Sequence, residues 1–399
     1  MTTARTASPR TARAINDRIA LELLAEQGPL TAARLRELTG LSRPSVADVL
    51  ERLGRGGLVT VVGEAGEARR GPNARVYGLV AERAHVAAFD VRTGGVTFTL
   101  ADLTGRTVGG GALPVRAAGG RGVVPAVLDT LRDALREAAV PAVHTAVVGA
   151  PGLADPATGL LRPFTSLPAW HADLLAALRE RLAAPVLLEN EVNLAGIAEH
   201  RLGAVRDRDT FVLLWLGHGI GAAVVLDGAL RRGASGGAGE VGFLPMPGAG
   251  GLPSATDCDG GLHGLAGSAA ICALARAHGL PADEAADAPA AEAVVRLATA
   301  DDTGPRAAFL DELAERVAVA IAGVVAVLDP GTAVLGGEVG RAGGAALVGR
   351  VTRRLRALSP LETEVRAATV TGSPVLSGAL LTALDATRGE LFGPGGLSE

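Results

Sequence analysis

The sequence predicts an α/β protein in which an N-terminal winged helix-turn-helix precedes two similar α/β lobes around a cleft. Three observations predict this. Apolar residues recur at helical spacing in short segments before residue 55, and two β-rich runs around a Gly/Arg-containing turn follow them. Beyond residue 83, hairpin-like strands precede strand-helix units, and that order is written twice. Charge divides along the same line: residues 1–80 carry twelve arginines against eight acidic residues, the remainder 26 against 34.

Residues 1–13, rich in Thr, Ala, Arg and Pro, are expected to form a disordered tail. No apolar signal segment accompanies them, which argues against a transit peptide. In the module expected over 14–80, Ile15, Ile19 and Leu23 share one helical face, and Leu35 with Leu38 mark a second, shorter helix. Gly40 breaks that helix, and Ser42 is a suitable N-cap for the next, with Pro44 in its first turn. Val46, Val49, Leu50 and Leu53 then repeat at i, i+3, i+4 and i+7, so the third helix buries one side. Its other side offers Ser45, Asp48 and Arg52, with Arg43 at the N-terminal end. Gly56 and Gly57 end it. Runs at 58–62 and 75–80 then bracket a tip containing Arg69, Arg70, Gly71 and Pro72.

That combination fits DNA. Arg43, Ser45, Asp48 and Arg52 are placed to meet base edges, while Arg69, Arg70 and Arg75 suit phosphate or minor-groove contact. A basic head on an acidic body suits a phosphate-rich partner at one end only. The same module would also serve protein interaction or dimerisation, and the residues alone leave that reading open.

The body of some 320 residues is long enough for two cores, filled by Val, Leu, Ile and Ala because aromatics are only 3%. Cys258 and Cys272 are too few for a disulfide framework and fit a reducing cytoplasm. The longest apolar run, at 317–328, is 12 residues; a bilayer span needs roughly 20. A soluble, cytoplasmic protein is expected. Strands are expected at 85–91, 95–102, 107–115, 145–149 and 185–189, with helices at 123–139, 172–183 and from Val192. A second set has strands at 210–215 and 221–226, helices near 311–328 and 343–357, and a last strand-helix unit over roughly 367–388.

The motifs fall at strand ends. Asp90 ends the first body strand, followed by Arg92, Gly94 and Gly95; Gly149-Ala-Pro-Gly152 follows another. Glu189-Asn-Glu-Val-Asn193 opens a helix, Gly217-His-Gly219-Ile-Gly221 joins two strands, and Gly239-Glu-Val-Gly-Phe243 follows a Gly-rich loop. Val334-Leu-Gly-Gly-Glu338 comes near the end. In this order the body resembles the ROK family (repressors, open reading frames, kinases) of the actin-like sugar kinase superfamily. The resemblance covers nearly the whole chain, since ROK repressors also carry an N-terminal winged helix-turn-helix. It implies an actin-like, ribonuclease H-like body with lobe 1 over 83–205, joined by a helix at about 375–390, and lobe 2 over 206–374.

It also implies a kinase site that has lost residues. In the first phosphate loop, Asp90 stands, but Arg92 occupies a Gly position and Gly94 the Thr position. Arg92 would fill the space or bind an anion. Glu191 stands where the family's catalytic Asp would be, displacing the carboxylate by about 1 Å. Gly217 and Gly219 keep the second phosphate loop, with His218 replacing Thr. Glu240 is kept among the sugar contacts, Phe243 replaces a His that touches sugar and zinc, and Gly267 replaces a Glu. Of the zinc cysteines only Cys258 survives, with His263 as the other candidate; Cys272 is expected inside a helix.

The resemblance therefore implies a DNA-binding regulator without kinase activity, with no cofactor and no metal. Operator DNA is the expected partner, and a sugar or sugar-derived effector would bind at Gly152, Asn190, Glu191 and Glu240. A homodimer or tetramer is expected. Two alternatives stay open: an active ATP-dependent sugar kinase with a DNA-binding head, and a ligand-independent regulator whose cleft is closed by Phe243 and Arg92.

Overall fold

In the computed structural model, residues 9–393 are described except 66–72, 117–121, 156, 162–167, 250 and 255–259. The head comprises α1 (Pro9–Gln27), β1 (Leu30–Thr31), α2 (Ala32–Thr39), α3 (Arg43–Arg55), β2 (Val59–Ala65) and β3 (Ala74–Leu79). Thr31 caps α2 and Ser42 caps α3, each side chain accepting a backbone N–H of the first turn. Between them Gly40 adopts φ +69° and ends α2, a conformation that glycine takes without a Cβ penalty. The three strands form one small sheet, β1-β3-β2, completing a winged helix.

Two expectations about the first helix are corrected. It begins at Pro9, so residues 9–13 are helical rather than tail; residues 1–8 lie outside the described residues. Its buried face is Asp17, Ala20, Leu21 and Leu24, whereas Ile15 and Ile19 are exposed. Both faces carry apolar residues, and packing on α3 selects the one with the buried acid.

The body repeats one plan. β4 (His85–Arg92), β5 (Gly95–Asp102) and β6 (Thr107–Pro114) form an antiparallel meander, followed by α4 (Val123–Glu137), β7 (Thr145–Ala150), α5 (Trp170–Arg181), β8 (Val186–Asn190) and α6 (Glu191–Leu202). The second set runs β9 (Phe211–Leu216), β10 (Ile220–Leu226), β11 (Ala229–Leu230), α7 (His263–Ala266), α8 (Ser268–Ala277), α9 (Ala288–Ala300), α10 (Gly304–Leu328), β12 (Thr332–Gly336), α11 (Gly337–Leu358) and β13 (Glu364–Ala367). Last comes α12 (Pro374–Leu391). The sheet orders are β6-β5-β4-β7-β8 and β11-β10-β9-β12-β13, the same topology twice. In each, the meander strands pair antiparallel and the later strands parallel.

The helix expected around Cys272 is α8, whereas α7, a single turn of four residues, and the Ala-rich α9 were not anticipated. The last strand lies at Glu364–Ala367, earlier than expected, because it pairs with β12. Helices α6 and α12 lie between the sheets. Leu194, Val375, Ala379, Ala383 and Leu384 share one core with Val86, Ala88 and Val147 of the first sheet and Phe211, Leu213 and Val334 of the second. Gly378 permits that approach, since any Cβ there would enter the Leu194 backbone. Buried Glu199 ties α6 to the chain before α12, accepting from the backbone N–H groups of Ala204, Thr369 and Val370 at 2.7, 3.0 and 2.8 Å.

The far end of α12 leaves the body. Leu391 and Phe392, with Ala84 and Leu103, pack into the head core beside Leu21, Leu24, Leu35 and Leu53. Arg388 Nη2 donates to the Leu103 carbonyl at 2.8 Å. An 18-residue helix, about 27 Å long, thus reaches from the inter-lobe region to the head.

Candidate functional site

On α3 the buried residues Val46, Val49, Leu50 and Leu53 leave Pro44, Asp48, Glu51 and Arg55 on the opposite face, by 3.6-residue geometry. Arg43 is exposed and forms no ion pair among the described residues. Arg75 is exposed on β3, opposite Glu64. Arg69 and Arg70 lie outside the described residues.

Two expected base readers face inward instead. Arg52 Nη2 and Nε donate to the Asp17 carboxylate at 2.7 and 3.2 Å, and Nη1 donates to Asp48. Asp17 is only 6% exposed, and a buried carboxylate needs a cation, so α1 holds Arg52. The Ser45 hydroxyl lies 2.9 Å from that of Ser42, and its N–H donates to Ser42, so it belongs to the helix cap.

The second site lies where the ends of β4, β8, β9 and β12 converge, the usual ligand position in open parallel sheets. Arg92 Nε donates to Asp90 at 2.6 Å, and Nη1 lies 3.5 Å from Glu191 and 3.8 Å from Glu338. Its guanidinium also sits over the Trp215 ring, 5.2 Å from the centroid. Burial works to lower the Arg92 pKa, but Glu191, Asp90 and Glu338 outweigh it and raise the value. Arg92 therefore fills the space, and the expectation that it binds an anion fails: three carboxylates already hold its charge. Asp90 also accepts from Ser373 Oγ at 3.0 Å, and Ser373 caps α12.

Glu191 opens α6. Its Oε2, like that of Glu338, is buried without a hydrogen-bond partner. Burial pushes the Glu191 carboxyl up to about 7; Arg92 opposes this, while Asp90, Glu338 and Glu240 add to it. Burial likewise raises Glu240. The other expected effector residues are internally engaged: Asn190 Nδ2 donates to the Gly152 carbonyl at 3.0 Å, and Asn190 Oδ1 caps α6 by accepting from Val192 N–H at 2.8 Å.

Gly94 has open space around it, whereas a Cβ at Gly217 would lie 2.5 Å from Glu338 Oε2. The second loop is pinned from below. Ser268 Oγ donates to the Gly217 carbonyl at 2.6 Å, and His263 Nδ1 accepts from the Ile220 N–H at 3.3 Å. The His263 ring meets Phe243 edge-on at 5.4 Å. Burial, with His218 nearby, lowers the His263 pKa and favours the neutral ring that this bond needs. The described residues do not fit zinc: His263 has a structural partner, Cys272 is buried in α8, and no three candidate ligands converge among them. Cys258 lies outside the described residues. No helix among them is long and apolar enough to cross a membrane.

Sequence reasoning gave no role to Trp215 and Ser373, and marked Glu338 and Glu189 only as motif residues. Glu189 is buried and accepts from Arg232 Nε at 2.6 Å and Asn193 Nδ2 at 2.8 Å, a tie from the first lobe to the second. Its place in the quoted Glu-Asn-Glu motif was the available signal.

The Glu191 carboxyl has an ordinary value of 4.5 and a folded value of about 7, so the folded state binds its proton more tightly. The group's contribution to stability is intact below about pH 4.5 and declines as pH rises through 7. Glu191→Gln should therefore stabilise the protein by roughly 3 kcal/mol at pH 8 and little at pH 4.5. Denaturation midpoints at both pH values check this; an equal effect at each would contradict it.

The ROK family model matches residues 118–386, two thirds of the chain. The chain belongs to the ROK family. Its ROK relatives include regulators and kinases alike. A glucokinase of Thermotoga maritima is 31% identical over 208 residues, covering 49% of this chain and 64% of its own. The xylose repressor of Bacillus subtilis is 24% identical, covering 58% and 60%. The chain thus spans somewhat under two thirds of these curated relatives. A crystal structure described as a ROK transcriptional regulator, homologous to the Escherichia coli MLC protein, matches with a TM-score of 0.73 at 20% identity. It covers 96% of this chain and 98% of its own, head included. At that identity it shows the fold: winged helix and actin-like ROK body.

Proposed function

We propose that this protein is a ROK transcriptional regulator, acting as a repressor at operator DNA, without sugar kinase activity. The observation that carries the proposal is the occupant of the cleft. Arg92 stands in the first phosphate loop, bound to Asp90 and within 4 Å of Glu191 and Glu338, where a kinase would hold phosphate. The head, by contrast, keeps both helix caps, a packed core and an exposed Arg43. In this reading 14–80 is the DNA-binding domain, 83–205 with about 375–390 forms lobe 1, and 206–374 forms lobe 2. The protein works in the cytoplasm as a homodimer or tetramer, and it uses no cofactor or metal.

A sugar or sugar-derived effector would enter beside Gly152, Asn190, Glu191 and Glu240 and displace Arg92. A path to the head is available. Asp90 holds Ser373 at the start of α12, and Phe392 at the other end is 3% exposed within the head core. Coupling requires the effector to bind the two arrangements unequally. The closed ion cluster favours one second reading, a regulator that needs no ligand, for which no sugar would alter DNA affinity or thermal stability.

The deciding experiment selects duplexes from a random library with the full chain, then assays ATP consumption against a sugar panel. Selected sequences with no turnover are expected; efficient phosphorylation of any sugar would overturn the non-kinase reading. If the wing arginines contact phosphate, the triple variant Arg69→Ala/Arg70→Ala/Arg75→Ala should weaken binding and flatten its salt dependence. Unchanged affinity would remove the wing from the interface.

A further inference from the structure

The middle of the exposed α3 face carries an acid that is held in place. Asp48 is 55% exposed, and it accepts from Arg52 Nη1. Arg52 is itself fixed from below by two bonds to Asp17, which is buried. The three residues form a chain from the head core to the surface. Asp17 already balances the Arg52 charge, so Asp48 adds a net negative charge to the surface that faces DNA. Near phosphates such a charge is repelled, unless it meets a donor on a base. The neighbouring acid differs: Glu51 is 71% exposed, and its one ion-pair partner among the described residues is Arg55 at 3.7 Å.

From this arrangement we infer that Asp48 is a specificity-determining residue that accepts a hydrogen bond from the N4 amino group of a cytosine in each half-site. The inference rests on the DNA-binding reading. In the major groove, only adenine N6 and cytosine N4 donate. Adenine places the N7 acceptor beside its amino group, and a carboxylate is repelled there, whereas cytosine offers the donor alone. Arg52 and Asp17 act as positioning residues. They fix the carboxylate before DNA arrives, so little side-chain freedom is lost on binding.

The test uses the full chain and a randomised duplex library. The wild-type selection should contain one C·G pair per half-site that Asp48→Ala no longer prefers, a loss of about tenfold in discrimination at that position alone. Asp48→Asn should move the preference there toward adenine, which an amide side chain recognises through N6 and N7. Asp48 is exposed, and an unchanged melting temperature verifies that the variants fold. A consensus identical in wild type and Asp48→Ala would overturn the inference. So would a uniform change in affinity across all sequences, which would make Asp48 a surface charge and nothing more. Failure of the wild type to enrich any duplex is a separate result, and it would remove the DNA-binding reading along with the inference.

Discussion

Arg52→Ala is expected to lower the stability of the head by about 3–5 kcal/mol, because it strands the Asp17 carboxylate in an apolar core. Asp17 is 6% exposed, and its hydrogen bonds to Arg52 tie α1 to α3 beside their shared apolar core. Without the guanidinium, that acid must take up a proton or drag α1 from the core. Asp17→Leu combined with Arg52→Leu should recover most of the loss, since replacing both partners of a buried pair by apolar groups is often neutral. Chemical denaturation of the two variants, with hydrogen exchange read over α1 and α3, checks both statements. A single variant as stable as the wild type would show that the pair is solvated. Leu391 and Phe392 share this core, so exchange at the end of α12 should rise together with that of α1.

Arg92→Ala should have the second large effect, about 2–3 kcal/mol. That is below the full cost of breaking a buried pair, because the guanidinium is 31% exposed. Three carboxylates would then face one another without a cation. Glu191, already pushed up by burial and by the neighbouring acids, would lose the opposing Arg92 charge, so the folded state would bind its proton more tightly still. Stability contributed by a carboxyl raised in this way is present below its ordinary value of about 4.5 and lost as pH rises. The gap between variant and wild type should therefore widen from pH 4.5 to pH 8. Melting temperatures across that range measure it; a gap that narrowed with rising pH would contradict the arrangement of Arg92 among Asp90, Glu191 and Glu338.

The head and the cleft differ in how far their sequences could be read. Gly40, Ser42, Pro44 and the buried positions of α3 act within a turn or two of chain, and periodicity with capping chemistry locates them. The first helix was harder: Ile15, Ile19 and Leu23 make as good a stripe as Ala20, Leu21 and Leu24, and the choice depends on Arg52, 35 residues from Asp17. In the cleft, Arg92, Glu191 and the two glycine loops were legible as departures from a kinase pattern. Glu338 was marked only as the end of a motif, and its pairing with Arg92, like the roles of Trp215 and Ser373, was not legible, because nothing local marks a residue as the neighbour of position 92. Of the three helices immediately before α10, the sequence marked only the one around Cys272; α7 is a single turn, and the Ala-rich faces of α9 offer little polar contrast.

By itself, then, the sequence determined the order of elements: a capped helix-turn-helix with its wing, and a strand-helix plan used twice. It also showed where Arg92, Glu191 and His218 stand in the strand-end motifs. Only the tertiary structure decided which of the marked side chains remain free to meet a ligand. Arg52, Asn190 and His263 are each engaged by another part of the protein. Arg92 is held by residues drawn from both lobes. The physical reason is common to all of them. A polar or charged group taken out of water must find a partner, and folding supplies that partner from whichever segment packs beside it, near or far along the chain.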